Sequence, residues 1–279
     1  MKTAKPSPAM ASGAYTVKSL VKALNILGVL AEDGKSAPTL TQISRLLHLH
    51  ISTVHRLLAN LVHQGFAEEA PSPGGYQLSY RVLRMGLRVL DGLDFRRVAQ
   101  PLLRQLNEQT KETVHLAILQ EGRAISIEKF DSPQPVGLDA RLGGVMPLHC
   151  TGVGKTLLAY QGEEFLNQIA HSPGLERFTM HTLTNLAQLR KELEHIREHG
   201  YAVDHEEAVE GLRCVAGPVF DHQGSVVAAF SMAGPATRMT VSRIADLTRP
   251  VRETSQQISY RMGFRSGAHS TATSGSDSR

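Results

Sequence analysis

The chain is short of cysteine and of long apolar runs, and each shortage closes off a class of protein. Two cysteines in 279 residues, Cys150 and Cys214, cannot build the disulfide framework of a secreted scaffold, so a reducing compartment is expected. No stretch approaches the roughly 18 apolar residues of a membrane span. Met1 to Ala14 carries Lys2 and Lys5 but no apolar segment of the signal-peptide kind. A soluble, cytoplasmic protein with no membrane partner is therefore expected. The formal charge of +4 and pI near 9.1 suit a nucleic-acid partner without requiring one. Between Thr16 and Leu93 basic residues outnumber acidic ones only slightly, so charge alone decides nothing.

What is present begins with length. A chain of 279 residues suits two domains at roughly 100–200 residues each, and 41% hydrophobic content supports real cores. Leu40 to Leu61 is the most informative stretch. Leu40, Ile43, Leu46 and Leu47 form one helical stripe, and Val54, Leu57, Leu58 and Leu61 form a second after a short turn. Ser52, Thr53, His55 and Arg56 lie on the polar side of the second helix. This pattern predicts a helix-turn-helix over about 40–59, whose second helix offers hydroxyls, an imidazole and a guanidinium to the major groove. Thr41 is placed to cap the first helix. Arg45 and Tyr76 are expected near the DNA backbone, so Thr41, Arg45, Ser52, Thr53, His55, Arg56 and Tyr76 are the candidate DNA contacts.

Upstream, Ser19 to Leu30 reads as a helix with Leu20, Ala23, Leu24, Leu27 and Leu30 on one face. Downstream, Phe66 to Ala70 and Tyr76 to Ser79 flank Pro71-Ser-Pro-Gly-Gly75, the signature of a hairpin, or wing. A connecting helix is expected over 81–94. The next helix, Phe95 to Thr110, tolerates Pro101 poorly in its middle and is expected to start near that proline. From Thr113 the pattern becomes α+β. Val114–Gln120 with Ala124–Phe130, and Val215–Phe220 with Ser225–Met232, read as hairpins; Tyr201–Asp204 reads as a short strand. Helices are expected over Thr184–His199 and Val241–Met262. Paired strands with helices covering one face imply an antiparallel sheet of the sensor kind. The expected organisation is an arm over 1–15, a reader over 16–80, a linker helix over 81–94, a sensor over 95–264 and a tail over 265–279.

Leu148-His-Cys-Thr-Gly-Val-Gly-Lys-Thr156 resembles a phosphate loop, but that motif needs a glycine where His149 stands. An enzyme using this loop is the rival reading from another class, either a nucleotide hydrolase at Lys155 or a metal-dependent hydrolase at His149, Asp204 and Cys214. The better reading has Thr151 capping a helix from Gly152, whose free amides favour an anion such as a carboxylate. A glycine-rich turn packed on the sheet is the plain structural alternative. Asp204-His-Glu-Glu207, Cys214, His149 and Cys150 raise the thought of zinc, yet their spacing matches no compact ligand pattern, and neither a metal nor any other cofactor is expected. Nothing sets a general base beside either thiol, so no catalytic residue is assigned.

In order and spacing, Ser19–Leu27, Ser52–Leu58, Gly65-Phe66, Glu112–Leu116, Pro147–Lys155 and Glu206–Ala216 with Pro218 resemble the IclR family of bacterial transcriptional regulators. The resemblance implies a winged helix-turn-helix, a linker helix and a GAF-like effector-binding domain, assembled as a dimer or dimer of dimers on an operator. It also implies a small organic acid as effector, held by Gly152, Val153, Asp204, Cys214 and Ser231. Two positions depart from the pattern: Ala233 stands where a second serine is common, and His48 replaces the usual glycine of the turn. Histidine is tolerated at positive φ at some cost, so the turn is expected to survive. Lys111–Leu116 and Glu210–Cys214 lean toward the KdgR-like sugar-acid branch.

Overall fold

In the computed structural model, which describes residues 16–32, 37–135 and 141–265, the chain divides into two compact units at Gly92/Leu93. The proposed arm over 1–15 lies outside the described residues, as does the tail beyond Arg265. Among the described residues no helix is long and apolar enough to cross a membrane.

The first unit contains α1 (Lys18–Ala31), α2 (Leu40–Leu46), α3 (Ile51–His63), the hairpin β1 (Ala67–Glu69) and β2 (Tyr76–Leu78), and α4 (Tyr80–Asp91). Its core is Ile26, Ile43, Val54, Leu58 and Ala67. The buried stripe of α1 differs from the expected one. Ile26 is fully buried with Val29 and Leu30 beside it, whereas Leu20 and Leu24 are 57% and 55% exposed. The helix is apolar on two sides, and the core takes the side carrying isoleucine.

The cap of α2 also needs correction. Thr39, not Thr41, is the N-cap; it accepts from the Gln42 amide while Gln42 Oε1 accepts from the Thr39 amide at 2.7 Å. Thr41 is an exposed residue of the first turn. At the other end of α2, His48 adopts φ 50°. Its amide donates to Arg45 O and the Leu49 amide donates to Ser44 O, a Schellman closure that needs a left-handed residue at this position. α3 then starts from His50, whose Nδ1 accepts the Ser52 amide.

The linker helix expected over 81–94 spans Tyr80–Asp91, and Gly92 turns the chain before α5 (Asp94–Thr110). α5 continues through Pro101 without ending there, contrary to expectation. Pro101 is exposed while Ala99, Leu102, Leu103 and Leu106 are buried, so the carbonyl deprived of its donor faces water and packing holds the helix together.

The second unit is built on one six-stranded antiparallel sheet of order β5-β4-β3-β8-β7-β6. The strands are β3 (Thr113–Gln120), β4 (Arg123–Phe130), β5 (Val145–Met146), β6 (Ala202–His205), β7 (Leu212–Phe220) and β8 (Val226–Pro235). The helices are α5, α6 (Gly152–Ala159), α7 (Glu163–Ile169), α8 (Leu186–His199) and α9 (Val241–Arg261). They cover both faces, not one. A Cβ on Gly217 would touch Val251 of α9, whereas its neighbour Ala216 faces Gly152 of α6, so adjacent residues of β7 point to opposite helix layers. Leu157 and Leu158 of α6, Leu189, Leu193 and Ile196 of α8, and Ala117, Ala216 and Ala229 of the sheet form one core. Small alanines on the sheet let α6 approach closely.

Candidate functional site

The polar side of α3 is turned to solvent. Ser52, His55 and Arg56 are exposed and Thr53 is half-buried, while Val54 and Leu58 are held in the core. No ion pair engages Arg56 among the described residues, which leaves its guanidinium available to an anionic partner. Ser52 Oγ lies 2.7 Å from His50 Nδ1, so this hydroxyl also takes part in the helix cap. Sequence reasoning missed His50; imidazole is an uncommon cap, and nothing but its position before Ile51 marks it. Arg45 is exposed in the last turn of α2. Tyr76 opens β2 opposite Glu69 and packs its ring on the core, so it serves the fold first.

In the second unit, strand register assembles the other set. Asp204, Cys214, Ala233 and Thr113 stand abreast on four adjacent strands. Two residues along, on the same face, stand Ala202, Ala216, Ser231 and His115. The N-terminus of α6 lies over them: a Cβ on Gly152 would fall 2.5 Å from Cys214 Sγ and 3.1 Å from Ala216 Cβ. Gly152, Asp204, Cys214 and Ser231 are thus brought together; Val153 lies in the same first turn of α6, with its side chain packed in the core.

Thr151 caps α6, donating to Pro147 O at 2.7 Å and accepting from the Gly154 amide at 3.1 Å. The backbone of Gly152 packs directly against the Cys214 sulfur. Burial pushes the Cys214 thiol up, and the Asp204 carboxylate pushes it further. Asp204 Oδ1 accepts from the Glu207 amide at 2.7 Å. Burial nevertheless raises the Asp204 carboxyl to about 7, against the hydrogen bond from Glu207, and the Glu207 charge adds to the rise. Ser231 is fully buried, and its Oγ lies 3.4 Å from both ring nitrogens of His115. Burial lowers His115 to about 4, with the Lys129 charge contributing, so the ring is neutral at pH 7.

The rival phosphate-loop reading fails on Lys155. This side chain is 1% exposed and donates to Glu207 Oε1 at 2.5 Å, Val203 O at 2.7 Å and Glu192 Oε1 at 3.0 Å. Three donors meet three acceptors, leaving none for a phosphate. Burial alone would lower the Lys155 ammonium, but Glu207 and Glu192 hold it above its ordinary value. The residues that raised zinc are likewise spoken for or inert. His149 Nε2 lies 2.8 Å from Glu176 O, and burial pushes the Cys150 thiol up to about 12. No group of three or more His, Cys, Asp or Glu is placed to hold a metal among the described residues. The buried Lys155 triad was invisible in the sequence because Glu192 lies 37 residues from Lys155 and Glu207 lies 52 away.

An exposed recognition helix with its wing, carried on the same chain as an antiparallel-sheet domain with a buried polar floor, defines a ligand-sensing DNA-binding transcription regulator. Residues 19–71 match the IclR helix-turn-helix domain, and residues 87–260 match the bacterial transcriptional regulator IclR C-terminal domain. The chain is 37% identical over 248 residues to the HTH-type transcriptional repressor AllR of Escherichia coli K12, covering 89% of this chain and 91% of that protein. It is 33% identical over 249 residues to the HTH-type transcriptional regulator KdgR of the same organism, covering 89% and 94%. Among solved structures, an IclR homolog from Microbacterium hydrocarbonoxydans complexed with 4-hydroxybenzoate superposes with a TM-score of 0.77 at 26% identity, covering 88% of this chain and 98% of that one. The chain belongs to the IclR family of bacterial transcriptional regulators. It is a regulator with an effector-binding domain, not an enzyme.

Proposed function

We propose that the protein is a cytoplasmic, sequence-specific regulator whose operator binding is modulated by a small carboxylate. The observation that carries this reading is the convergence of Gly152, Asp204, Cys214 and Ser231 under the N-terminus of α6. A helix N-terminus favours an anion, and Asp204, its carboxyl raised to about 7, is protonated in part and in that form can donate to an oxygen. The neighbouring family member bound to 4-hydroxybenzoate supports an acid as ligand. A carboxylate at the Gly152 amide would need the space that Cys214 Sγ now crowds, and would so shift α6 against the sheet.

In this reading residues 16–80 read DNA, 81–94 couple and 95–264 sense. Ser52, Thr53, His55 and Arg56 meet bases or adjoining phosphates, with Thr41, Arg45 and the wing at Tyr76 along the backbone. The unit works as a homodimer or dimer of dimers. Val17, Leu20 and Leu24 of the α1 region and Leu83 and Leu87 of α4 are exposed apolar side chains that a second copy would cover. Effector binding shifts an equilibrium between arrangements of two readers.

The test is a thermal-shift screen of sugar acids, keto acids, hydroxy acids and aromatic acids on the full chain, followed by operator titration with each acid that binds. A raised melting temperature and a changed operator affinity are expected from the same acid. If binding acids leave operator affinity unchanged, the coupling is wrong; if no acid binds, the effector class is wrong.

A further inference from the structure

His115 is a buried imidazole with too little to bond to. The ring is 3% exposed, and Ser231 Oγ is its sole hydrogen-bond partner among the described residues. That oxygen stands 3.4 Å from Nδ1 and 3.4 Å from Nε2, equally far from both and at the outer limit of a hydrogen bond. A neutral imidazole carries one donor and one acceptor, and one hydroxyl at this place serves at most one of them. A buried ring nitrogen left in this state needs an account, because buried polar groups are nearly always paired.

Its place in the sheet supplies one. His115 pairs with Ser231 across β3 and β8, on the same face as Cys214 and Asp204. The residue two before it, Thr113, pairs with Ala233, the floor position that lacks a hydroxyl. His115 therefore stands one diagonal from Ala233, within reach of a long or aromatic side chain. On its other side the register partner is Lys129, whose ammonium is already held by Asp131 at 2.7 Å.

We propose that His115 is a specificity-determining residue of the effector site, and that it selects acids bearing a hydroxyl or oxo oxygen beyond the carboxylate. In this arrangement the α6 N-terminus takes the carboxylate and the imidazole pairs with the second oxygen, in the role that a hydroxyl at Ala233 would otherwise fill. Because burial keeps the ring uncharged at pH 7, it reads an oxygen by hydrogen bonding and not by charge. The inference rests on the carboxylate reading above and narrows it to hydroxy and oxo acids.

The experiment compares paired acids on the full-length protein by calorimetry: lactate and pyruvate against propionate, and 4-hydroxybenzoate against benzoate. The wild type is expected to favour the oxygen-bearing member of at least one pair by about tenfold, the size of one well-made hydrogen bond. His115→Phe, which keeps a ring but no nitrogen, should bring that ratio to near one while binding of the plain acid persists. His115→Gln, which restores a donor and an acceptor, should keep a preference. A ratio of affinities is insensitive to a fraction of unfolded protein, so a weakened fold does not mimic the result. Binding without preference in the wild type, or a preference surviving in His115→Phe, overturns the role of His115 while leaving the carboxylate reading intact. If none of these acids binds and the wider acid screen is also negative, the carboxylate reading falls and this inference with it.

Discussion

Lys155 Nζ lies 2.5 Å from Glu207 Oε1, with both side chains buried, and this pair ties α6 to the segment that follows β6. Glu192 of α8 completes the triad at 3.0 Å with a side chain 28% exposed. Removing one partner of a buried pair strands the other charge, at about 3–5 kcal/mol. Lys155→Met should therefore destabilise the protein by that order in urea denaturation, while Glu192→Gln, on the more exposed partner, should cost roughly 1 kcal/mol or less. The double variant Lys155→Met with Glu207→Gln should recover part of the loss. A Lys155→Met protein as stable as the wild type would show that the triad contributes nothing.

Two buried groups on the same sheet face give stability opposite dependences on pH. The Asp204 carboxyl is raised from 3.8 to about 7, so its contribution is complete below the unfolded value and disappears as pH climbs through about 7. His115 is lowered from 6.5 to about 4, so its contribution is present above 6.5 and is lost as pH falls through about 4. Between about 4 and 6.5 the slopes oppose each other, each worth up to about 1.4 kcal/mol per pH unit. Asp204→Asn should thus lose stability on acidification across this window more steeply than the wild type. His115→Phe should gain stability over the same range. Melting temperatures at pH 4.5, 5.5 and 6.5, chosen within the roughly 4–6.5 window, decide it; parallel curves for all three proteins would refute the assignment.

Gly152 has no room for a methyl group. Its Cβ would lie 2.5 Å from Cys214 Sγ and 3.1 Å from Ala216 Cβ. Gly152→Ala should cost about 1–3 kcal/mol through overpacking and abolish acid binding. Cys214→Ala removes the nearer obstacle, so the double variant should be more stable than the sum of the single changes predicts. Additive behaviour in a double-mutant cycle would mean that the two residues do not meet.

His48 holds a left-handed conformation, φ 50°, that costs an L side chain roughly 1–2 kcal/mol and glycine nothing. Glycine also makes the unfolded chain more flexible, which offsets roughly half of that gain. His48→Gly should stabilise the reader by about 0.5–1 kcal/mol. Hydrogen-exchange protection of the α2 and α3 amides is the direct measurement, and lower protection in the variant would contradict the assignment.

Local patterns were the legible part of this chain. The Val54, Leu58 stripe placed α3, and the turn Glu121-Gly-Arg123 placed the β3–β4 hairpin, because both signals lie within a few residues. Strand register was not legible: that Asp204, Cys214 and Ala233 stand abreast depends on pairings between segments far apart. That Thr39 and not Thr41 caps α2 is visible only in the geometry, where Thr39 and Gln42 form the capping box. The cost of Pro101 depends on which side of α5 faces water, and that is set by packing far from it in sequence. His115 carried no signal of its own; its meaning comes from Ser231 lying opposite.

Arg56 is exposed on α3 and free of any ion pair among the described residues, so its guanidinium is spent on no structural contact. If it grips a guanine edge, Arg56→Ala should cost about 1–3 kcal/mol of operator affinity and relax specificity at one base position. If it holds a phosphate, all sequences should weaken alike and the slope of log affinity against log salt should fall by about one. Titrations of operator and of scrambled duplex at several salt concentrations separate the two. Stability should be untouched, since exposed side chains away from caps and cores change it by less than about 0.5 kcal/mol. Unaltered affinity for both duplexes would remove Arg56 from the DNA interface and, with it, the expected approach of α3 to the groove.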